Sequence, residues 1–342
     1  MNKGYTFTCK LLLALFLLFS SLKTFAQPGN VFTHVTTTGI SSGAVDNTAF
    51  AVSKSDNKMY VAFRDNANSG KLTVMQYTGS AWALLGNAGI SQGAVNYSIG
   101  VATITTINGN EVYVAYSDAA NGNRLTIMRW GGTSWVADGT AGSHSGDEAN
   151  SINMTVANNG DMFVAYSDLG TGSKAFVKKR VSGTWTNIAG TGLSAGIADD
   201  IDIACGNIDN QPYIVYKDAS VSGKATVRKY NGTSWNTVGT TGFTSGTVSD
   251  CSIAVDRLNR PNISYNDGSV NNRATVRYYD GSTWQVLGFA GISSNIATYT
   301  GLVFDYDNNA YIIYKDNAAS GKATVRKYNG TSWTTVTTSG FS

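Results

Sequence analysis

Charged residues, proline, cysteine and histidine are all scarce in this 342-residue chain, and each scarcity excludes a class of protein. Only 14% of the residues are charged, so the chain is neither a highly charged disordered segment nor a coiled coil. Three prolines beside 38 glycines exclude collagen. Two histidines and three cysteines show no spacing typical of a metal site, and they leave no credible Ser/His/Asp arrangement.

The first 26 residues have the pattern of an export signal. Two lysines precede the apolar run 11–19, which is too short to cross a membrane core of about 30 Å. A small residue, Ala26, stands at the expected cleavage point. We therefore expect residues 1–26 to be a signal peptide, and residues 27–342 to be a single domain that is secreted or held at the cell surface.

Removal of this signal changes the charge of the protein. The signal carries three lysines and no acid, so the mature chain has 22 bases against 22 acids. A balanced charge argues against nucleic-acid or anionic-membrane binding. We expect a monomer with no nucleic-acid partner and no membrane insertion. The mature chain keeps Cys205 and Cys251, which an oxidising compartment could join, although they occupy different positions of the repeat described next.

A repeat of about 50 residues organises the chain. A tryptophan recurs at Trp82, Trp135, Trp185, Trp235, Trp284 and Trp333. A base stands eleven residues before each, at Lys71, Arg124, Lys174, Lys224, Arg273 and Lys322. An acid stands six residues before each base, at Asp65, Asp118, Asp168, Asp218, Asp267 and Asp316. We expect each Asp–base pair to brace a hairpin, and each tryptophan to pack between neighbouring sheets.

Each copy is predicted to form four short strands, A to D. In the fourth copy these are 201–205, 212–216, 225–230 and a strand that begins at Trp235. Their β-branched and aromatic content favours strands, and no helical periodicity is present. Pro212 opens strand B, where the missing N–H is tolerated.

Four-stranded units without helices predict an all-β fold, a β-propeller with six blades. Phe32 aligns with the tryptophan column, so a seven-bladed ring with one incomplete blade is the alternative. We expect the segment that begins at Trp333 to pair with the strand ending at Tyr328, since a short hairpin joins them.

Two glycine columns follow each tryptophan. Seven residues on, glycine is invariable among the six copies. Eleven residues on, the chain has Gly93, Gly146, Gly196, Gly246 and then Asn295. Because asparagine tolerates positive φ, we expect this second column to adopt a left-handed backbone.

The turn before strand D resembles the Asp-box hairpin of sialidase-type propellers. The segments 230–235 and 279–284 share its Gly-x-Ser/Thr-Trp ending, but tyrosine replaces its aspartate. The resemblance implies a propeller and says little about activity. A sialidase-like glycoside hydrolase remains the alternative, yet Glu111 and Glu148 lie in no distinctive motif, so we expect a protein that is not an enzyme.

The candidate binding residues fall into two sets. Just before strand A, which lines the channel of a propeller, polar residues vary from copy to copy: Asp46, Asn47, Asn96, Tyr97, Asn150, Asp199, Asp200, Asp250 and Tyr299. Such side chains suit a polyhydroxylated ligand or a cation, so no cofactor is expected beyond a structural cation in the channel.

A second, weaker set lies between blades, at Arg228, Tyr230, Arg277, Tyr279, Arg326 and Tyr328. These residues resemble the Arg and Tyr that six-bladed propeller lectins use in pockets between blades. The resemblance implies a non-catalytic binding or display module, most simply carbohydrate-binding, with a glycan as partner. A structural module that binds a surface protein remains open.

Overall fold

The computed structural model describes residues 39–53, 56–106, 109–336 and 339–340, and it leaves the side chains of residues 97–106, 109 and 110 undescribed. The expected signal peptide, its cleavage site and the Phe32 segment lie outside these residues. No helix in the described part is long and apolar enough to cross a membrane. The described chain divides into two compact units, residues 39–193 and residues 194–340.

The first unit contains three antiparallel sheets of four strands, which we call blades 1 to 3. Blade 1 is β1 (Val45–Val52), β2 (Met59–Asp65), β3 (Lys71–Tyr77) and β4 (Trp82–Leu84). Blade 2 is β5 (Val95–Thr106), β6 (Gly109–Asp118), β7 (Arg124–Trp130) and β8 (Trp135–Ala137). Blade 3 is β9 (Ala149–Val156), β10 (Met162–Asp168), β11 (Lys174–Val181) and β12 (Thr184–Asn187).

The second unit contains blades 4 to 6, built in the same way. Blade 4 is β13 (Ala198–Cys205), β14 (Pro212–Asp218), β15 (Lys224–Tyr230) and β16 (Trp235–Thr237). Blade 5 is β17 (Val248–Val255), β18 (Pro261–Asp267), β19 (Arg273–Tyr279) and β20 (Trp284–Val286). Blade 6 is β21 (Ala297–Phe304), β22 (Ala310–Asp316), β23 (Lys322–Tyr328) and β24 (Trp333–Thr335).

The six expected four-stranded sheets are therefore confirmed, and so is their simple A–B–C–D order. Strand B of each blade is buried on both faces, as in β10, where all seven residues are buried. Pro212 and Pro261 open β14 and β18, as a residue without an N–H should. Strand A begins earlier than expected, since β13 starts at Ala198 rather than at residue 201. Trp333 pairs with Tyr328, so the expected hairpin closes blade 6.

The aspartate column caps a short 3-10 turn that follows strand B. These turns are Asn66–Asn68, Ala119–Asn121, Leu169–Thr171, Ala219–Val221, Gly268–Val270 and Asn317–Ala319. In blade 4 the buried Asp218 carboxylate accepts hydrogen bonds from the Ser220 N–H (3.0 Å) and from the Thr226 hydroxyl (2.9 Å). The expected acceptance of backbone N–H groups is confirmed. The prediction of an ion pair is wrong. Within the described residues, no carboxylate of the aspartate column lies within 4 Å of the charged nitrogen atoms of its column base.

The left-handed backbone lies in the first glycine column, not in the second. The first column has, for example, φ 60° at Gly242 and 73° at Gly291. The second column does not adopt positive φ, so our expectation for it was wrong. At two of its positions glycine leaves space for the backbone of the next turn: a Cβ on Gly93 would lie 2.4 Å from the Ala120 nitrogen, and one on Gly246 would lie 2.5 Å from the Ser269 nitrogen.

Within each unit, tryptophans of the column pack between neighbouring blades, as expected. Nε1 of Trp284 donates to the carbonyl oxygen of Val238 in the preceding blade (2.9 Å), and Nε1 of Trp333 donates to that of Leu287 (2.8 Å). Each of these indoles is buried, so its polar edge is satisfied across the contact. The thiols of Cys205 and Cys251 are not joined by a disulfide bond.

Candidate functional site

The first strand of every blade contains a β-bulge close to its beginning. The pairing register with the second strand shifts between Asp46 and Ala49, Asn96 and Ile99, Asn150 and Asn153, Asp199 and Asp202, Ser249 and Ser252, and Thr298 and Gly301. A bulge redirects the side chains of its extra residue and often occurs beside functional sites. We call these six positions the first-strand bulges.

At five of the six first-strand bulges, a residue other than glycine has a left-handed backbone. The φ angles are 46° at Asn47, 48° at Ser151, 49° at Asp200, 52° at Asp250 and 55° at Tyr299. Asparagine and aspartate tolerate this region, whereas a bulky residue such as tyrosine is strained there. Strain of this kind costs about 1–3 kcal/mol per residue and persists where surrounding structure maintains it, typically at functional sites.

The bulges coincide with most of the residues selected from the sequence. Asn47, Asp200, Asp250 and Tyr299 are the left-handed residues themselves, and Asp46, Asn96 and Asp199 pair at the edge of the shift. Tyr97 lies in β5, but its side chain is outside the description.

In blade 3 the left-handed residue is displaced by one position along the sequence from the residue that we selected. It is Ser151 rather than Asn150. The loop before this strand is one residue longer. In both loops a serine hydroxyl accepts a hydrogen bond from a backbone N–H of strand C. This serine is Ser145, ten residues after Trp135, in the longer loop, and Ser91, nine residues after Trp82, in the shorter one. A fixed offset from the tryptophan therefore misses this bulge.

In the second unit, bases of the second strands face these bulges. Lys217 is the strand partner of Asp199, and the Lys315 ammonium lies 5.9 Å from the centre of the Tyr299 ring. Burial raises the pKa of the Cys251 thiol, and the nearby carboxylates of Asp200 and Asp250 raise it further. The bulges of this unit thus offer carboxylate acceptors, ammonium donors and one aromatic ring.

In the first unit, side chains at the same positions form hydrogen bonds and an ion pair within the protein. The Arg64 guanidinium lies 3.2 Å from the Asp46 carboxylate and donates to the carbonyl oxygen of Val95 (3.0 Å). The Asn66 amide also donates to Asp46 (2.9 Å). The side-chain amide of Asn96 donates to Asn123. These polar groups are engaged within the protein.

Two residues of the second set of sequence candidates, Tyr279 and Tyr328, lie at contacts between blades of the second unit. The Arg228 guanidinium donates to the carbonyl oxygen of Trp235 (2.9 Å), and Arg277 donates to that of Trp284 (3.2 Å). The ring centroids of Tyr279 and Trp284 are 5.6 Å apart, and a Cβ on Gly239 of the preceding blade would lie 3.3 Å from the Tyr279 ring.

The same arrangement recurs nearby. The ring centroids of Tyr230 and Trp235 are 5.4 Å apart, as are those of Tyr328 and Trp333. Arg326 occupies in β23 the position that Arg277 occupies in β19, each pairing with the second strand of its blade. These residues are half-buried packing elements whose outer edges reach the surface.

Sequence reasoning missed a charged cluster in the first unit, between blades 2 and 3. The buried Asp138 carboxylate accepts hydrogen bonds from Arg180 Nε (2.8 Å) and from Trp185 Nε1 (2.7 Å). Nε2 of the buried His144 lies 2.9 Å from the Asp138 carbonyl oxygen. Desolvation lowers the pKa of His144, and the positive charge of Lys178 lowers it further. The sequence contains one signal that could have revealed this cluster: Asp138 and Arg180 differ from the residues that the other copies of the repeat have at the same positions.

The described residues contain no group of three or more His, Cys, Asp or Glu side chains arranged to hold a metal ion. The structural cation that the sequence allowed therefore gains no support from these residues.

Comparisons with known proteins were made by sequence and by structure. No protein-family model matches the chain, and no curated protein matches its sequence. A variant of Aleuria aurantia lectin in complex with α-methyl-L-fucoside superposes with a TM-score of 0.59 at 16% identity, covering 84% of this chain and 93% of the lectin. A structure of SapL1 lectin with α-methyl fucoside gives a TM-score of 0.55 at 16% identity, covering 84% of this chain and 95% of that one.

A third structure, described as a fungal lectin from Aleuria aurantia with a six-bladed β-propeller fold, gives a TM-score of 0.55 at 17% identity, covering 84% of this chain and 94% of the lectin. The fold is a six-bladed β-propeller. This propeller agrees with the six-bladed expectation and removes the seven-bladed alternative. Identities this low establish the propeller architecture, and they carry no residue of a lectin site to this chain.

Proposed function

We propose that this propeller is a carbohydrate-binding module of lectin type, exported and non-catalytic, which binds a glycan at the first-strand bulges. The proposal rests on the left-handed backbone at Asp200, Asp250 and Tyr299, three polar or aromatic residues at equivalent positions of successive blades. Of these three, the tyrosine is strained, and a packed core has no need of a left-handed tyrosine, so the strain favours a role in binding for its half-buried ring.

The chemistry of the bulges suits sugar hydroxyl groups. A hydroxyl both donates and accepts hydrogen bonds, so its recognition needs acceptors such as Asp200 and donors such as Lys217 in one place. An aromatic ring such as that of Tyr299 can cover the apolar face of a pyranose. The folds of the fucoside-binding lectins supply an analogy of architecture, which supports the proposal without proving it.

The proposal is tested by a glycan array probed with the mature chain, residues 27–342. Glycans that bind should then be titrated against Tyr299→Asn, Asp200→Asn and Asp250→Asn. Asparagine accepts the left-handed backbone, so each variant keeps the bulge and changes only the side chain. We expect the affinity to fall about tenfold or more for each. The aspartate variants lose a hydrogen bond to a charged group, which contributes about 1.5–3 kcal/mol, and the tyrosine variant loses the ring that covers the sugar.

Asp307→Asn is the matched control, because Asp307 is exposed in the turn between β21 and β22 and lies outside the bulges. It should bind like the parent protein. Absence of binding to every glycan on the array would overturn the proposed function. Unchanged binding by all three bulge variants would overturn the assignment of the site.

The expected location follows from the same proposal. We infer that the module acts outside the cell, either secreted or at the cell surface, after cleavage near Ala26. Its partner would be a glycan on a surface or a glycosylated protein, and several equivalent bulges on one propeller would strengthen binding through multivalency.

A further inference from the structure

One contact in the first unit breaks the repeat at several positions at once. At the position of Asp138, three residues after the tryptophan, the other copies have Leu85, Ile188, Val238, Leu287 and Val336. At the position of Arg180, which pairs with the column tryptophan of its blade, they have Tyr77, Trp130, Tyr230, Tyr279 and Tyr328. His144 replaces the apolar residue whose amide bonds the second residue of strand C, such as Ile90 or Phe243. An apolar contact has become a charged one between blades 2 and 3.

Asp138 is fully occupied by this contact. Its carboxylate accepts from Nε and Nη2 of Arg180 (2.8 and 3.2 Å) and from Nε1 of Trp185 (2.7 Å). These bonds fix the Arg180 guanidinium over the Tyr113 ring, with 5.1 Å between its central carbon and the ring centre. Asp138 therefore has little capacity left for a ligand, and it serves to hold a cation in place.

Arg129 is different, because its donors are not used. Its Nε lies 3.7 Å from the Asp138 carboxylate, which is beyond hydrogen-bond distance, and its side chain is 38% exposed. Within the residues that the structure describes, the side chain of Arg129 donates no hydrogen bond. A guanidinium with free donors thus lies beside a second guanidinium that is held rigidly.

The guanidinium groups are the part of this cluster that reaches the surface. The charges of the whole cluster balance, since its bases are Arg129, Lys178 and Arg180 and its acids are Glu111, Asp138 and Asp168. The side chains of Arg129 and Arg180 are 38% and 22% exposed, however, whereas that of Asp138 is only 6% exposed. The exposed face of the cluster therefore presents two guanidinium groups, and an anion is the ligand that such a face favours.

We propose that this cluster is a single binding site for an acidic saccharide, in which Arg129 and the outer edge of Arg180 hold the carboxylate of a sugar acid. The planar fork of a guanidinium matches a carboxylate, as the pairing of Arg180 with Asp138 already demonstrates. The site occurs once in the chain, whereas the first-strand bulges recur. It rests on the proposed glycan binding and adds a second class of sugar.

The test uses calorimetric titration of the mature chain with trigalacturonate, with a glucuronate trisaccharide and with sialyllactose. Each acid is compared with its methyl ester, which keeps the sugar and removes the charge. We expect at least one acid to bind tenfold or more tightly than its ester, with an affinity that falls as salt is raised.

Two variants copy residues that other blades already have. Arg129→Gln reproduces Gln76 of blade 1. It should lower the affinity for the acid about tenfold and leave the affinity for the ester unchanged. The double variant Asp138→Leu/Arg180→Tyr reproduces the Leu287 and Tyr328 pair of blades 5 and 6, so it should fold normally and lose the preference for the acid. Arg273→Gln removes the same charge at an exposed position of blade 5 and is the matched control.

Equal binding of acid and ester for all three sugars would overturn the proposal, as would an equal loss of acid binding in Arg273→Gln. Neither result touches the proposed function if neutral glycans still bind on the array. A third outcome separates the two sites. If no neutral glycan binds on the array, but a sugar acid binds and Arg129→Gln abolishes that binding, the bulge site is overturned and this site is supported.

Discussion

The contact between blades 4 and 5 and the contact between blades 2 and 3 solve the same packing problem with opposite chemistry. In the second unit, Phe243 stacks on Trp284 with 4.2 Å between ring centroids and an interplanar angle of 6°, and the indole donates to a backbone carbonyl. In the first unit, His144 meets Trp185 edge-on at 6.4 Å, and the indole donates to the Asp138 carboxylate. One position of the repeat therefore tolerates either an apolar stack or a compensated set of charges.

The difference teaches how a repeat acquires a singular site. Asp138 alone would bury a charge, and Arg180 alone would lose the packing that tyrosine supplies in other copies. Together they satisfy each other, because the two changes lie on adjacent blades within hydrogen-bond distance. A charged pair of this kind can be kept for recognition even where it adds little stability.

The largest effect is expected from the apolar contact. Trp284→Ala removes a buried indole, its stacking on Phe243 and its hydrogen bond to Val238. We expect the free energy of unfolding to fall by about 4 kcal/mol, as measured by denaturant titration. A loss below about 1 kcal/mol would contradict the view that this tryptophan holds the two blades together.

Removing one partner of the charged contact should lower the free energy of unfolding nearly as much. Asp138→Leu leaves Arg180 and the Trp185 N–H without their acceptor, and we expect a loss of about 3 kcal/mol. Adding Arg180→Tyr should restore most of that loss, because it re-creates the apolar contact of blades 5 and 6. If the double variant is as unstable as the single one, the two contacts are not interchangeable.

Acid should distinguish the two contacts. The pKa of His144 is below its unfolded value of 6.5, mainly through burial, so the unfolded chain takes up a proton before the folded chain does. The stability that depends on neutral His144 is complete above pH 6.5. It is lost as the pH falls from 6.5 toward the folded pKa, by up to about 1.4 kcal/mol per pH unit.

His144→Leu, which copies Leu193 of the next repeat, should remove this part of the pH dependence in thermal melts between pH 5 and 7. The counterpart in the second unit, Phe243, cannot titrate. A pH profile that is identical in the parent and in His144→Leu would show that the imidazole is not desolvated in solution.

The smallest effect is expected at Arg129. Its guanidinium is partly exposed and makes no hydrogen bond in the described part of the chain, so Arg129→Gln should change the free energy of unfolding by less than about 0.5 kcal/mol. Denaturant titration beside the parent protein checks this value. A large loss would assign Arg129 to the packing of the blades and remove it as a binding residue.

The repeat made the architecture predictable from the sequence. The spacing of the tryptophans fixes the number of blades, and Pro212 and Pro261 mark the first residues of two strands. The local hydrogen bonds were harder to foresee. Aspartate and base stand six residues apart in every copy, which suggested an ion pair, but Asp218 bonds to Ser220 and Thr226 because these donors lie nearer in the turn.

The candidate sites were predictable only in part. Counting from the tryptophans located Asp200, Asp250 and Tyr299, because their connecting loops have equal length, and counting from Phe32 located Asn47. It missed Ser151, whose loop is one residue longer. The cluster around Asp138 escaped because its residues are separated in sequence, and because only folding of blades 2 and 3 brings Asp138 and Arg180 together.

The outermost strands have a consequence for the protein in concentrated solution. Five of them contain only three residues and β12 contains four, and each includes a column tryptophan. Such short edges leave few unpaired backbone N–H and C=O groups, so another chain finds little to pair with. At these outermost strands of the six described sheets, the protein therefore offers little template for intermolecular β-sheet.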